Sequence, residues 1–162
     1  MKNFLPVQYK KTTKLKINHS YLVEQFSDYS KIFKEIEKVV KKGDYTLGHQ
    51  VDKFEKNFAK RTGAKFVIGV GNGTDALHLS LKALNIGKGD EVIVTSRTFL
   101  ASVSSIVNAG AIPVFADVDC DTQNVTADSL SKVLTSKTKA IIAVHLAGWP
   151  CEMDQLMALA TE

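Results

Sequence analysis

The chain has 162 residues, of which 44% are hydrophobic and 23% are charged, and its formal net charge is +4. This composition is typical of one soluble globular domain with a buried core, and it excludes fibrous and disordered chains. The sequence has no apolar stretch of membrane-spanning length and no signal-peptide core near Met1, so we predict a cytoplasmic protein with no membrane partner.

A basic tail is predicted over residues 1–20. Before the first acidic residue, Glu24, it carries five lysines: Lys2, Lys10, Lys11, Lys14 and Lys16. Because no recognition helix or interleaved aromatic pattern accompanies them, we interpret this segment as a solvated tail rather than a nucleic-acid-binding arm. The alternative, a regulatory protein that binds DNA through this arm, predicts salt-dependent binding that is lost when residues 1–16 are removed.

Two amphipathic helices are predicted after the tail. Apolar residues recur at helical spacing from about 29 to 42, and Gly43 ends the pattern. After a turn at 44–48, Val51, Phe54 and Phe58 mark the inward face of a second helix, which stops at Gly63.

Short apolar runs then alternate with helical segments. The predicted strands are 66–70, 91–95, 112–116 and 140–144, and the predicted helices are 74–85, 100–109 and 127–134. Runs that are apolar throughout suit parallel strands buried on both faces. We therefore predict an α/β fold, a mostly parallel layered sheet with helices on both faces.

A glycine-rich run, 71–75, lies between the first predicted strand and the next helix. A helix start offers unpaired N–H groups and a positive dipole end, and glycines let an anion approach the backbone. A plain glycine turn with a helix cap would explain the same residues, so the context has to decide. Ligands of parallel sheets bind beyond the carboxyl ends of the strands. The residues expected along that rim are 71–75, 96–99, Asp117 and His145.

Two nucleotide-binding motifs do not fit this run. The spacing Gly71-x-Gly73-x-x-Ala76 is that of a dinucleotide site, but the next strand ends in Thr95 and Ser96 instead of an acidic residue. The Gly-Lys-Ser/Thr of a nucleotide P-loop is also missing after the glycines.

No metal site is predicted either. The acidic run 117–121 imitates a calcium loop, but Thr122 stands where such a loop needs glycine, so turn and cap roles are expected. Cys120 and Cys151 are far apart and have no partner at metal-ligand spacing, which favours reduced structural residues.

Phe99 adds an aromatic side chain just past a predicted strand end. Flanked by Thr98 and small residues, it can project across the phosphate site and stack on a flat ring, although a core phenylalanine is the simpler interpretation for this residue alone. A phosphate cradle together with a ring platform suggests pyridoxal 5′-phosphate (PLP).

The chain resembles the sugar aminotransferases of the DegT/DnrJ/EryC1/StrS family, within the fold-type I PLP-dependent enzymes. The resemblance covers about residues 21–162 and is specific because its segments occur in order. They are 43–48 with Phe54-Glu55, 73–77, 87–92, Thr98-Phe99, 110–119 and 138–148.

The resemblance implies roles for four residues. Gly73, Thr74 and Asp75 would hold the cofactor phosphate through N–H groups and the Thr74 hydroxyl, and Phe99 would stack on the pyridine ring. It also implies a homodimeric enzyme that transfers an amino group from glutamate to a nucleotide-linked keto-deoxysugar and so makes an aminosugar. His78, His145 and Trp149 are interpreted as packing residues.

Two groups needed by this chemistry are not found in the sequence. The family places the Schiff-base lysine and the acid that pairs with the pyridine nitrogen downstream, and the lysines here stand at strand entrances or along a helix. We therefore assign no catalytic residue. We expect residues 21–162 to be a truncated amino-terminal part of the large domain of a PLP-dependent transferase, inactive by itself.

Two alternatives stay within reach of the same resemblance. A PLP-dependent sugar dehydratase of this family has a histidine in place of the downstream lysine, which this sequence does not cover. A non-catalytic fragment that pairs with a complete homologue predicts co-purification with a larger subunit.

Overall fold

The computed structural model describes residues 21–161, which fall into two compact units that divide between Val67 and Ile68. The predicted basic tail, residues 1–20, lies outside the described residues. Membrane-spanning helices were sought among the residues described, and none is long and apolar enough to cross a bilayer.

The first unit is helical. It contains α1 (Leu22–Gln25), α2 (Tyr29–Lys42) and α3 (His49–Thr62), and glycines with positive φ end α2 and α3 as predicted. The expected inward face of α3 is not buried, because Phe54 is 55% and Phe58 is 49% exposed. No other described helix of this unit packs closely over these rings.

The second unit is built on a parallel sheet of three described strands. They are β1 (Glu91–Thr95), β2 (Ile112–Ala116) and β3 (Thr138–Ile142), and β1 lies in the centre in the order β2-β1-β3. β1 and β2 match the predicted strands. β3 begins two residues before its prediction, and its register against β1 shifts between Glu91 and Val92.

The strand predicted over 66–70 does not form. Its Phe66 and Ile68 side chains are 77% and 81% exposed. A strand requires a neighbour for its backbone N–H and C=O groups, and none of the three described strands pairs with this segment. Residues 66–70 are mostly apolar, but they would form a strand only if they paired with a neighbouring strand.

Helices cover both faces of the sheet, as predicted. α4 (Gly73–Ala83) and α5 (Leu100–Ala109) bury Leu81 and Ile106 against Val92 and Val94 of β1. α6 (Ala127–Ser131) and α7 (Met153–Leu159) bury Leu130 and Leu156 in a second cluster with Ile93. Successive strand residues point to opposite faces, so one strand supplies both cores. α6 is three residues shorter than predicted.

Candidate functional site

An open groove of about 490 Å³ lies at the carboxyl end of the sheet. Three segments line it. They are the start of α4 (Gly73, Thr74 and Leu77), the start of α5 with the residues before it (Thr98, Phe99, Ala101 and Ser102), and the segment after β3 (Val144, His145, Leu146 and Ala147). The structure thus brings three of the four predicted site residues, Gly73, Thr74 and Phe99, to one groove.

The start of α4 presents backbone donors to this groove. Asn72 caps the helix: its Oδ1 accepts a hydrogen bond from the N–H of Asp75 at 2.9 Å, and its Nδ2 donates to Asp75 Oδ2 at 3.1 Å. The first N–H groups of a helix have no intrahelical partner, and here the cap occupies only that of Asp75. The cap therefore leaves the N–H groups of Gly73 and Thr74 available.

Asp75, the fourth predicted residue, is not among the residues that line the groove. Its carboxylate folds back toward Gly71, where a Cβ would lie 2.6 Å from Asp75 Oδ2. Any side chain larger than hydrogen at position 71 would displace this carboxylate. Gly71 thus serves the cap, and the role of Asp75 toward a phosphate stays a prediction.

Phe99 stands at the N-cap of α5 and is 79% exposed. Its neighbours shape the segment, because Thr98 Oγ1 and Ser102 Oγ share a hydrogen bond of 2.8 Å across the first turn of α5. An exposed aromatic ring costs free energy in water, since its apolar face stays hydrated. The interpretation of Phe99 as a core residue is wrong for this chain, and its ring is open to a ligand in the groove.

The segment after β3 forms the third wall. Val144 leads to His145 and a short 3-10 turn (Leu146–Gly148), in which Ala147 has a φ of 52°. His145 Nδ1 accepts a hydrogen bond from the Cys151 N–H at 3.1 Å, so a neutral ring carries its proton on Nε2. Trp149, interpreted as a packing residue from the sequence, is 64% exposed.

Residues 27–162 match the sequence model of the DegT/DnrJ/EryC1/StrS aminotransferase family. The chain belongs to this family.

Individual relatives agree with the family match. The chain is 46% identical over 123 residues to dTDP-3-amino-3,6-dideoxy-alpha-D-galactopyranose transaminase of Aneurinibacillus thermoaerophilus, covering 76% of this chain and 34% of the relative. It is 46% identical over 113 residues to GDP-perosamine synthase of Escherichia coli O157:H7, covering 70% and 31%. The chain therefore spans about a third of the length of these relatives.

A solved structure shares the fold over a larger part of the chain. The crystal structure of NtdA from Bacillus subtilis with bound cofactor PMP superposes with a TM-score of 0.84 and 27% identity, covering 95% of this chain and 36% of that one. The α/β fold of this DegT/DnrJ/EryC1/StrS chain is thus that of a PLP-dependent aminotransferase.

The acidic run of this family member forms a turn. The Asp119 carboxylate accepts hydrogen bonds from the N–H groups of Asp121 and Thr122 and from the Thr122 hydroxyl. The Thr122 N–H contributes most to the lowered pKa of Asp119. The predicted turn role is confirmed for Asp119, while Asp117, placed on the rim from the sequence, is not among the groove-lining residues.

Both cysteines of this family member are free thiols. Cys151 is buried and donates from Sγ to the carbonyl oxygen of Val144 at 3.3 Å. Burial raises the pKa of the Cys151 thiol. Its structural interpretation from the sequence is confirmed.

Asn124 was not predicted from the sequence. This residue is 3% exposed and bonds to both ends of the turn after β3, at Leu146 and Trp149. No periodicity or motif singles out an asparagine in a loop, so only the three-dimensional contacts identify it.

Proposed function

We propose that this protein is a PLP-dependent aminotransferase that converts a nucleotide-linked keto-deoxysugar to an aminosugar, with glutamate as amino donor. One observation carries the proposal: the start of α4, with Gly73 and Thr74, lies in the same groove as the exposed Phe99 ring. The first offers donors to an anion, and the second offers an apolar face to a flat ring.

The groove fits the cofactor in the chemistry of its donors. The N–H groups of Gly73 and Thr74, the Thr74 hydroxyl and the dipole of α4 suit a phosphate dianion. A Cβ built on Gly73 has no heavy atom within 4 Å, so the backbone is open to close approach there. Asp75 belongs to the proposed set through its N–H, which Asn72 holds in this structure and which a charged phosphate, the stronger acceptor, would take over.

Phe99 would hold the ring of the cofactor by stacking. Aromatic pairs of this kind contribute about 0.5 to 1.5 kcal/mol beyond the area they bury. The hydrogen bond between Thr98 and Ser102 fixes the segment that carries Phe99. When bound, PLP accepts and returns the amino group and delocalises the electron pair released at the substrate carbon.

The substrate class rests on the relatives. One relative is named as a transaminase of a dTDP-linked aminosugar and the other as a GDP-perosamine synthase. Each name refers to a sugar linked to a nucleotide. The donor glutamate, a homodimeric assembly and the assignment of residues 21–162 to the amino-terminal part of the transferase large domain are proposed from the same resemblance.

Cofactor binding is tested with Thr74→Val, which keeps the side-chain shape and removes the hydroxyl. Loss of one hydrogen bond to a charged group predicts PLP affinity about tenfold to a hundredfold weaker. PLP is titrated by absorbance into the protein as its source cells produce it. The control is Ser80→Ala in the same helix. It removes an exposed hydroxyl that donates a hydrogen bond to the Ala76 carbonyl oxygen.

Wild-type affinity in Thr74→Val would remove the Thr74 hydroxyl from the proposed phosphate site.

The reaction is tested on the protein as its source cells produce it. The substrates are ¹⁵N-glutamate and a dTDP-linked keto-deoxysugar. Mass spectrometry should find the label in the sugar product. A product that has lost a hydroxyl and carries no label would identify a dehydratase instead.

A further inference from the structure

Asn124 is a buried polar side chain that joins two loops at the carboxyl end of the sheet. It lies in the loop after β2, and its contacts are with the turn after β3. Nδ2 donates to the carbonyl oxygen of Trp149 at 2.9 Å, and Oδ1 accepts from the N–H of Leu146 at 3.2 Å. A buried amide that uses both its donor and its acceptor is strongly oriented.

The loop that carries Asn124 is itself held in place. The N–H of Asp119 donates to the carbonyl oxygen of Asn124 at 3.0 Å, and the N–H of Gln123 donates to the carbonyl oxygen of Asp119 at 2.9 Å. The Asp119 carboxylate closes the same turn through Thr122. The backbone of Asn124 is therefore held in place, and its side chain holds Leu146 and Trp149 relative to it.

The turn that Asn124 holds has two backbone hydrogen bonds of its own, from the Gly148 N–H to the His145 carbonyl oxygen at 3.0 Å and from the Trp149 N–H to the Leu146 carbonyl oxygen at 2.9 Å, but one of its residues has an unfavourable backbone conformation. Ala147 lies in the left-handed region with a φ of 52°, a conformation that costs a residue with a Cβ. The first bond of Asn124 lies just before Ala147, at Leu146, and the second lies two residues after it, at Trp149. Residues 144–147 of this segment are one wall of the groove.

We propose that Asn124 is a positioning residue for the cofactor site. It holds the wall formed by residues 144–147 in place opposite the starts of α4 and α5, which line the same groove. This inference rests on the proposed function. Asn124 itself is not among the groove-lining residues, so its effect passes through the turn.

The test compares Asn124→Ala with Asp90→Ala. Both changes remove a side chain that holds a loop by a hydrogen bond to a backbone group. Asp90, however, accepts from the Gly87 N–H just before β1, at the amino end of the strands and away from the groove. PLP is titrated by absorbance into the protein as its source cells produce it, and amide hydrogen exchange is measured on the same samples. Asn124→Ser serves in place of Asn124→Ala where the alanine variant loses its near-ultraviolet circular dichroism.

The expected result separates affinity from stability. Asn124→Ala should bind PLP about tenfold more weakly and exchange the Leu146 amide faster, whereas Asp90→Ala should keep wild-type affinity. Wild-type PLP affinity in Asn124→Ala, or an equal loss in both variants, would overturn the positioning role. If the wild-type protein binds no PLP, the proposed function fails, and the Leu146 exchange alone decides whether Asn124 holds the turn.

Discussion

At Gly73, the requirement of the helix and the requirement of a ligand for glycine can be told apart. An added Cβ there has no heavy atom within 4 Å, and the backbone is not in the left-handed region. Alanine is therefore allowed at this position and is the better helix former. The structure has no need of glycine there, so a requirement for glycine would come from the ligand.

The variant Gly73→Ala separates these two requirements. We expect an unchanged or slightly higher free energy of unfolding, while PLP affinity falls by about tenfold or more because a methyl group occupies space in the groove. Absorbance titration and thermal unfolding measure the two effects. Gly87→Ala is the matched control: its Cβ would make an ordinary contact of 3.6 Å with the Ala109 carbonyl oxygen, before β1.

Equal PLP affinity in Gly73→Ala and wild type would mean that the phosphate does not approach this backbone.

At the scale of elements, α6 shows how a short helix is held by its first turn. Thr126 Oγ1 accepts from the Ser129 N–H at 3.1 Å, and Ser129 Oγ accepts from the Thr126 N–H at 3.0 Å. This capping box orients Leu130, which is fully buried in the core cluster on that face of the sheet. A helix of five residues does not form by propensity alone, so cap and core support each other.

Thr126→Ala tests the contribution of this cap. We expect a loss of about 1 kcal/mol in the free energy of unfolding, measured by urea denaturation of the protein as its source cells produce it. Ser131→Ala is the control in the same helix, because its exposed hydroxyl bonds only to the Ala127 carbonyl oxygen. Equal midpoints for the two variants would show that the capping box adds nothing to stability.

Elements were predictable where their causes are local in the chain. The glycines that end α2, α3 and α5 are visible in the sequence, β2 is apolar along its whole length, and β1 has the apolar centre Val92–Val94. The segment 66–70 is equally apolar but has no strand partner among the described residues. β3 begins two residues before its predicted start, and its register against β1 has an irregularity that is a property of the pair.

At the scale of the whole molecule, the described residues 21–161 leave apolar surface and strand edges open among themselves. β2 and β3 each have a free edge in the described sheet, and Phe33, Phe66 and Ile68 are more than half exposed. Open edges and apolar patches promote association between chains. The segment that matches this chain is only about a third of the length of the relatives, which therefore contain additional chain.

We predict that residues 1–162 expressed alone aggregate or pack poorly. Ile68→Lys should raise the soluble fraction measured after centrifugation, because it places a charge in the exposed apolar segment 66–70. Lys65→Arg, which keeps the charge just before this segment, is the control. A monomer with reversible, cooperative unfolding would contradict this prediction.

The sequence by itself determined the fold class, the family and most of the groove. These follow from neighbouring residues: apolar runs define strands, glycines end helices, and the run at 71–75 marks a helix start. Only the tertiary structure decided the position of Asp75 at the cap, the exposure of Phe99 and the link from Asn124 to Trp149. The cap is a local contact between Asn72 and Asp75 whose geometry only the folded helix start shows. The link from Asn124 joins segments far apart in the chain, and the spacing of residues along one segment carries no record of it.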